Sequence, residues 1–176
     1  MIRRLLSFLL VGTLVAAPAA AFAQLSTGLS IAAGVAVPTG DGSDQVATGY
    51  NAALGLNVGA PLVPVGLRLE GAYNGFNLKD TPGATGSSRI ISGTANATFG
   101  LGLPYLIGGL GWYQAHASVT SGTLTATSTK SAVGFNVGAG VRFPLGMMST
   151  FVEARYHKAG GDVDASYVPI TFGIQF

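Results

Sequence analysis

The sequence predicts an all-β chain, eight antiparallel strands wound up and down into a closed transmembrane barrel. Three observations predict it. Segment after segment alternates apolar with small or polar side chains, the period that puts one set on each face of a sheet. The connections between these segments alternate long and short. The composition is also unusual, with 9% charged residues, 27 Gly and no Cys. A soluble domain carries roughly a quarter charged residues, yet after Gln24 no run of about 18 apolar residues is present to form a membrane helix. Low charge without a spanning helix is what membrane strands require.

Residues 1–23 read as an export signal removed from the mature chain. Arg3 and Arg4 make a positive start, Leu5–Ala17 an apolar stretch, and Ala21-Phe22-Ala23 a small-x-small cleavage site before Gln24. The alternative, an N-terminal membrane helix, is opposed by the shortness of the most apolar part. The barrel is then residues 24–176. Without Arg3 and Arg4 the nine Lys and Arg fall to seven, equal to the seven Asp and Glu. The positive net charge therefore belongs to the signal. It gives no support for a nucleic-acid partner. The absence of Cys excludes disulfides and thiolate metal sites.

The first strand is expected at about Gly28–Val37, with Leu29, Ile31, Val35 and Val37 on one face. In the second, Thr48–Ala60, Tyr50, Leu54, Leu56 and Val58 oppose Asn51, Gly55 and Asn57. The third is Val65–Phe76 and the fourth Arg89–Leu101, where Ile91, Ala95 and Phe99 oppose Ser92, Thr94 and Asn96. The fifth, Tyr105–Ala117, has apolar residues on both faces, so alternation leaves its lipid side open, and a bulge within it is an option. The sixth is Ser131–Phe143 and the seventh Ser149–His157. The last alternates from Tyr167 to Phe176, with Val168, Ile170, Phe172 and Ile174 on one side. A half-apolar strand at the end of a chain needs a neighbour on its open edge, and closure onto the first strand supplies one.

Long polar connections are expected at Pro38–Ala47, Asn77–Ser88, Ser118–Lys130 and Lys158–Ala165, and short ones at Gly59–Pro64, Gly102–Pro104 and Pro144–Met147. Long loops on one rim and tight turns on the other match an outer-membrane barrel with both termini periplasmic. The alternative is a soluble barrel with its apolar side chains inward. It leaves too few charged residues for the outer surface. Tyr50, Tyr73, Phe76, Tyr105, Phe143, Tyr156, Tyr167 and Phe176 lie near strand ends and are candidates for interfacial aromatic girdles.

Gly34-Val35-Ala36-Val37-Pro38-Thr39-Gly40, Pro104-Tyr105 before the Gly-rich fifth strand, Phe151-Val152-Glu153-Ala154-Arg155-Tyr156 and the closing Pro169–Phe176 resemble the small outer-membrane β-barrel domain family. That family includes the OmpA transmembrane domain, OmpX and opacity-type proteins. The resemblance implies an eight-stranded barrel in the bacterial outer membrane, in contact with its lipid and lipopolysaccharide. It also implies insertion by the barrel-assembly machinery, with Phe176 as the assembly signal; with nothing after Phe176, the peptidoglycan-binding domain of full-length OmpA-like proteins is not expected. It implies no common activity, because members include adhesins, anchors and barrels without an assigned role. An extracellular ligand held by the long loops is compatible with it.

Arg68 and Glu70 on the third strand, and Glu153 and Arg155 on the seventh, stand two residues apart and so share a face opposite the apolar set. Arg142 and His157 are expected to share the lumen with them. A charge facing lipid costs about 2–4 kcal/mol near mid-membrane, so these side chains belong inside. The expected arrangement is a luminal ion-pair network in a barrel narrow enough for side chains to fill. The function expected is non-enzymatic, structural or surface-interacting. Two alternatives stand beside it. One is a small-solute or ion channel. The other is a hydrolase, because His116-Ala117-Ser118 resembles the His-x-Ser of outer-membrane lipid A deacylases, which implies His116 as base and Ser118 as nucleophile. Val119 stands where those enzymes have Asn, and no acidic residue lies on the sixth strand. No metal-ligand spacing and no cofactor motif are present. Asp41, Asp44, Asp162 and Asp164 read as solvated loop residues.

Overall fold

The computed structural model describes residues 25–40, 43–60, 63–79, 84–121, 123–161 and 163–176. The expected export signal over residues 1–23, and Asp41 and Asp162, lie outside the described residues. The strands are β1 (Ser26–Thr39), β2 (Gly49–Gly59), β3 (Val65–Asn77), β4 (Ala84–Gly100), β5 (Pro104–Ser121), β6 (Leu124–Leu145), β7 (Met148–Ala159) and β8 (Ala165–Gln175). Each pairs antiparallel with the next, and β8 pairs with β1 to close an eight-stranded barrel. The closing seam runs from Ser30 opposite Gln175 to Thr39 opposite Ser166. The backbone N–H of Phe176 extends it by donating to the Leu29 carbonyl at 2.8 Å.

Alternation sorts the two faces as hydrophobicity demands. Leu29, Leu54, Leu67, Leu110, Val133 and Phe172 are exposed on the outside, where lipid covers them. Asn51, Arg68, Glu70, Thr94, Asn96, Asn136, Glu153 and Thr171 are buried inside. This is the inverse of a soluble barrel. In β5 the even residues face outward, with Leu106, Leu110 and Trp112 exposed while Tyr105, Ile107 and Tyr113 are buried. Its register with β4 and β6 runs without interruption from end to end, so it contains no bulge.

Two expectations need correction. Phe76, Tyr105 and Tyr167 are buried in the lumen and are not girdle residues, whereas Tyr50, Phe143, Tyr156 and Phe176 are exposed on the outside. Position near a strand end does not set the face; residue parity does. The expected connection Ser118–Lys130 is instead strand over 118–121 and 124–130. Ser118 pairs with Thr127 and Ser121 with Leu124, so β5 and β6 continue as a hairpin beyond the barrel wall. β4 joins the hairpin, with Ala84 opposite Ser121. β4, β5 and β6 have 17, 18 and 22 residues, well past the 9–11 or so that cross a bilayer. The β-branched Thr residues favour this extended pairing.

The opposite rim is tight. Leu145 pairs with Met148, leaving a two-residue turn in which Gly146 has φ 64°. A left-handed backbone at the first central position suits a hairpin turn and favours Gly there.

Candidate functional site

The lumen is built in layers along the barrel axis. Arg68 and Glu70 come from β3, and Glu153 and Arg155 from β7 on the opposite wall. The structure brings these four together. Arg68 Nη1 donates to Glu153 Oε2 at 2.9 Å and lies 3.7 Å from Glu70 Oε2. Arg155 Nη2 donates to Glu70 Oε1. Its Nε lies 2.7 Å from Glu153 Oε1, an ion pair without an in-line hydrogen bond. Arg68 is 1% exposed and Glu153 2%, so lipid and solvent are both excluded. Two guanidiniums and two carboxylates cancel in charge, which offsets much of their desolvation.

Polar and aromatic groups hold the quartet in place. Arg68 Nε donates to Asn57 Oδ1 at 2.8 Å, and Asn57 Nδ2 donates to Ser30 Oγ at 2.9 Å. Tyr105 O–H donates to Glu153 Oε2 at 2.6 Å. The Arg68 guanidinium stands 5.2 Å from the Phe151 ring centre and 5.9 Å from that of Tyr105, within cation–π range. Small inward residues make room for these long side chains. A Cβ at Gly138, opposite Arg155, would lie 2.5 Å from Arg155 Cγ.

Arg142 and His157 share the lumen but not the ion pairs. Arg142 sits nearer the tight-turn rim, its guanidinium 5.1 Å from the Tyr105 ring centre. It takes part in none of the ion pairs among the described residues. His157 lies one layer to the other side. Its ring stacks on Tyr167 at 5.0 Å and 12°, and its Nδ1 is 3.0 Å from Tyr113 O–H. Asn74 Nδ2 donates to Tyr167 O–H at 3.3 Å, and Asn51 Nδ2 donates to Asn74 Oδ1 at 2.7 Å. Tyr113 and Tyr167 also belong to an apolar cluster with Ala36, Phe76, Ile90 and Ala159.

Tyr105, Tyr113 and Tyr167 are luminal partners that were not expected in the lumen, whereas Asn51, Asn57 and Asn96 lie inward as their alternation implies. For Tyr167 the available signal was parity with Thr171 on its own strand; β5 offers no polar inward neighbour to mark Tyr105 and Tyr113.

His116 and Ser118 occupy the outer surface beside the projecting hairpin. His116 is flanked by Arg89 on β4 and Thr129 on β6, and Ser118 by Ser87 and Thr127. His116 Nδ1 is 2.7 Å from Thr129 Oγ1. Among the described residues no carboxylate lines the cleft that contains the pair. A His–Ser couple without an acid to orient the imidazole lacks the third member of a triad. Among the described residues no group of three or more metal-ligating side chains is found.

A closed antiparallel barrel with apolar residues outside and charges inside defines a transmembrane β-barrel protein of the outer-membrane type. The chain belongs to the Outer membrane protein beta-barrel domain family, whose pattern it matches over residues 6–176. Solved structures agree on the fold. The Neisserial surface protein A superposes with a TM-score of 0.59 at 16% identity, covering 86% of this chain and 97% of that one. Ail, the attachment invasion locus protein of Yersinia pestis, gives 0.58 at 18%, covering 85% and 97%. A major outer membrane protein from Thermus thermophilus gives 0.63 at 12%, covering 86% and 98%. No curated protein matches the sequence.

Proposed function

We propose that this protein is a non-enzymatic outer-membrane barrel, structural or surface-interacting, with its lumen filled by side chains. The observation that carries the reading is the quartet of Arg68, Glu70, Glu153 and Arg155, which ties opposite walls together across the bore. Porin-type diffusion needs a continuous aqueous path, whereas here paired charges and aromatic rings occupy the interior. The surface for interaction is the projecting sheet of β4, β5 and β6. Pairing of β6 with β7 begins at Gly134, so residues 124–132 have no strand partner on that side among the described residues. Free backbone groups along such an edge accept an extended segment of another protein. Residues 1–23 act as the export signal. The barrel-assembly machinery reads the strand ending at Phe176, and lipid and lipopolysaccharide surround the finished barrel.

Two measurements test this reading. The refolded protein in planar bilayers is expected to give no steady conductance of porin size; such conductance would overturn the filled lumen. Incubated with lipopolysaccharide, it should leave every acyl chain on lipid A. Acyl loss that Ser118→Ala abolishes would make the protein a hydrolase.

A further inference from the structure

The outer surface carries an arrangement that the luminal network does not use. Pairing register aligns Tyr50, Gly75, Arg89, His116 and Thr129 in one outward row across β2 to β6. Two residues toward the tight-turn rim, the row reads Ala52, Tyr73, Ile91, Gln114 and Ser131; two further, it reads Leu54, Gly71, Gly93, Trp112 and Val133. In the other direction the row is Asn77, Ser87, Ser118 and Thr127. Over about 20 Å of strand the outward chemistry changes from aliphatic to aromatic to cationic and hydroxylic. That is the order of acyl chain, interface and headgroup, so Arg89 and His116 stand at headgroup depth.

The row is also concave. A Cβ at Gly75 would lie 2.5 Å from Tyr50 Cζ, so the Tyr50 ring lies against the bare backbone there. Tyr50 stacks on Tyr73 at 5.9 Å and 24°. With Asn77, Ser87, Arg89 and His116 they bound a cleft of ≈ 390 Å³. Among the described residues no carboxylate lines it. Arg89 is exposed and takes part in none of the ion pairs among the described residues. His116 Nδ1 lies 2.7 Å from Thr129 Oγ1, which anchors the ring; in the tautomer whose Nδ1 accepts from that hydroxyl, Nε2–H is left as a donor.

We propose that this cleft binds the phosphate of a phosphorylated glycolipid in the surrounding leaflet. Arg89 supplies the planar fork of donors that suits a phosphate, and His116 Nε2–H and the Ser118 hydroxyl add to it. The tyrosine pair offers a flat face to the sugar, for which the cleft has room beyond a bare phosphate. The acyl chains run down over Ile91, Leu110 and Trp112. On this reading the His116–Ser118 couple is a headgroup contact and takes no part in hydrolysis.

The test uses the full chain refolded in detergent and native mass spectrometry of retained lipid. The probes are bisphosphorylated lipid A, its dephosphorylated form and phosphatidylglycerol. Wild type is expected to retain the bisphosphorylated form in preference to both others. Arg89→Gln with His116→Gln should lower that retention about five- to tenfold, the effect of roughly one interfacial cation plus a hydrogen bond. Lys158→Gln, which removes the same charge from β7, should leave it unchanged. Equal retention of the dephosphorylated form by wild type would overturn the phosphate site, as would full retention by the folded double variant. Equal retention of phosphatidylglycerol would overturn the glycolipid assignment.

Discussion

Glu153→Gln is the substitution that most directly weighs the luminal quartet. The change keeps the shape of the side chain and an oxygen to accept from Tyr105, so charge is the variable removed. Glu153 faces Arg68 at 2.9 Å and Arg155 at 2.7 Å. At an effective dielectric of about 20, each attraction between charge centres some 4 Å apart is about 4 kcal/mol. Losing two such attractions is offset in part by relief of repulsion from Glu70 and by the cheaper burial of an amide. What remains is about 3–5 kcal/mol, the usual cost of stranding a buried charge. With a urea slope of about 2 kcal/mol/M, the unfolding midpoint should fall by about 1.5–2.5 M. The assay is a urea titration of the refolded barrel in detergent, with Asp44→Asn as control. Asp44 is exposed on the single turn of 3-10 helix Ser43–Gln45, so its loss should cost under about 0.5 kcal/mol. Equal midpoints for the two variants would refute the argument. The luminal charges would then be solvated by water, and a continuous aqueous channel would be the better account.

Gly138→Ala should destabilise the barrel by about 1–3 kcal/mol through crowding in the lumen. The new methyl would strike the Ala154 carbonyl and lie 2.6 Å from Arg155 Cα. Gly71→Ala, outward with no other atom within 4 Å of its Cβ, should be neutral or slightly stabilising; equal midpoints would refute the difference. In the β7–β8 connection, Lys158 Nζ donates to Asp164 Oδ1 at 2.8 Å, and this bond, then the ammonium charge, holds the Asp164 carboxyl below the usual carboxylate range. With the folded value depressed, the tether is fully present above the unfolded carboxylate pKa and is lost as pH falls through the folded one. Carboxyl NMR of Asp164 should show its midpoint rising in Lys158→Ala, and an unmoved midpoint would sink the assignment.

The barrel was legible because lipid outside and a packed lumen inside force period two on every membrane-spanning segment. Arg68 with Glu70 and Glu153 with Arg155 were legible for the same reason, as charges on the parity opposite Leu67, Leu69, Val152 and Ala154. Above the membrane the constraint lapses. From Leu124 to Lys130 the side chains are exposed on both faces, so the Thr and Ser residues show no apolar alternation and read as a loop. Backbone pairing still forms there, and only coordinates reveal its register. The inward aromatics were hidden differently. Tyr105 and Tyr167 were grouped by nearness to strand ends, although Tyr167 stands next to outward Val168 and so had to point inward. The outward row from Tyr50 to Thr129 draws one residue from each of five strands, and no spacing within a single strand announces it.

The quartet also bears on how the chain finds its closed form. Arg68 and Glu153, like Glu70 and Arg155, are 85 positions apart in sequence. During insertion the β3 charges have only each other, 3.7 Å apart, until β7 completes their ion pairs. A slip of one residue in either strand would turn both of its charges outward, at about 2–4 kcal/mol for an Arg facing mid-bilayer lipid. The ion pairs between two distant strands thus penalise a slipped register in either wall, far from the seam between β1 and β8.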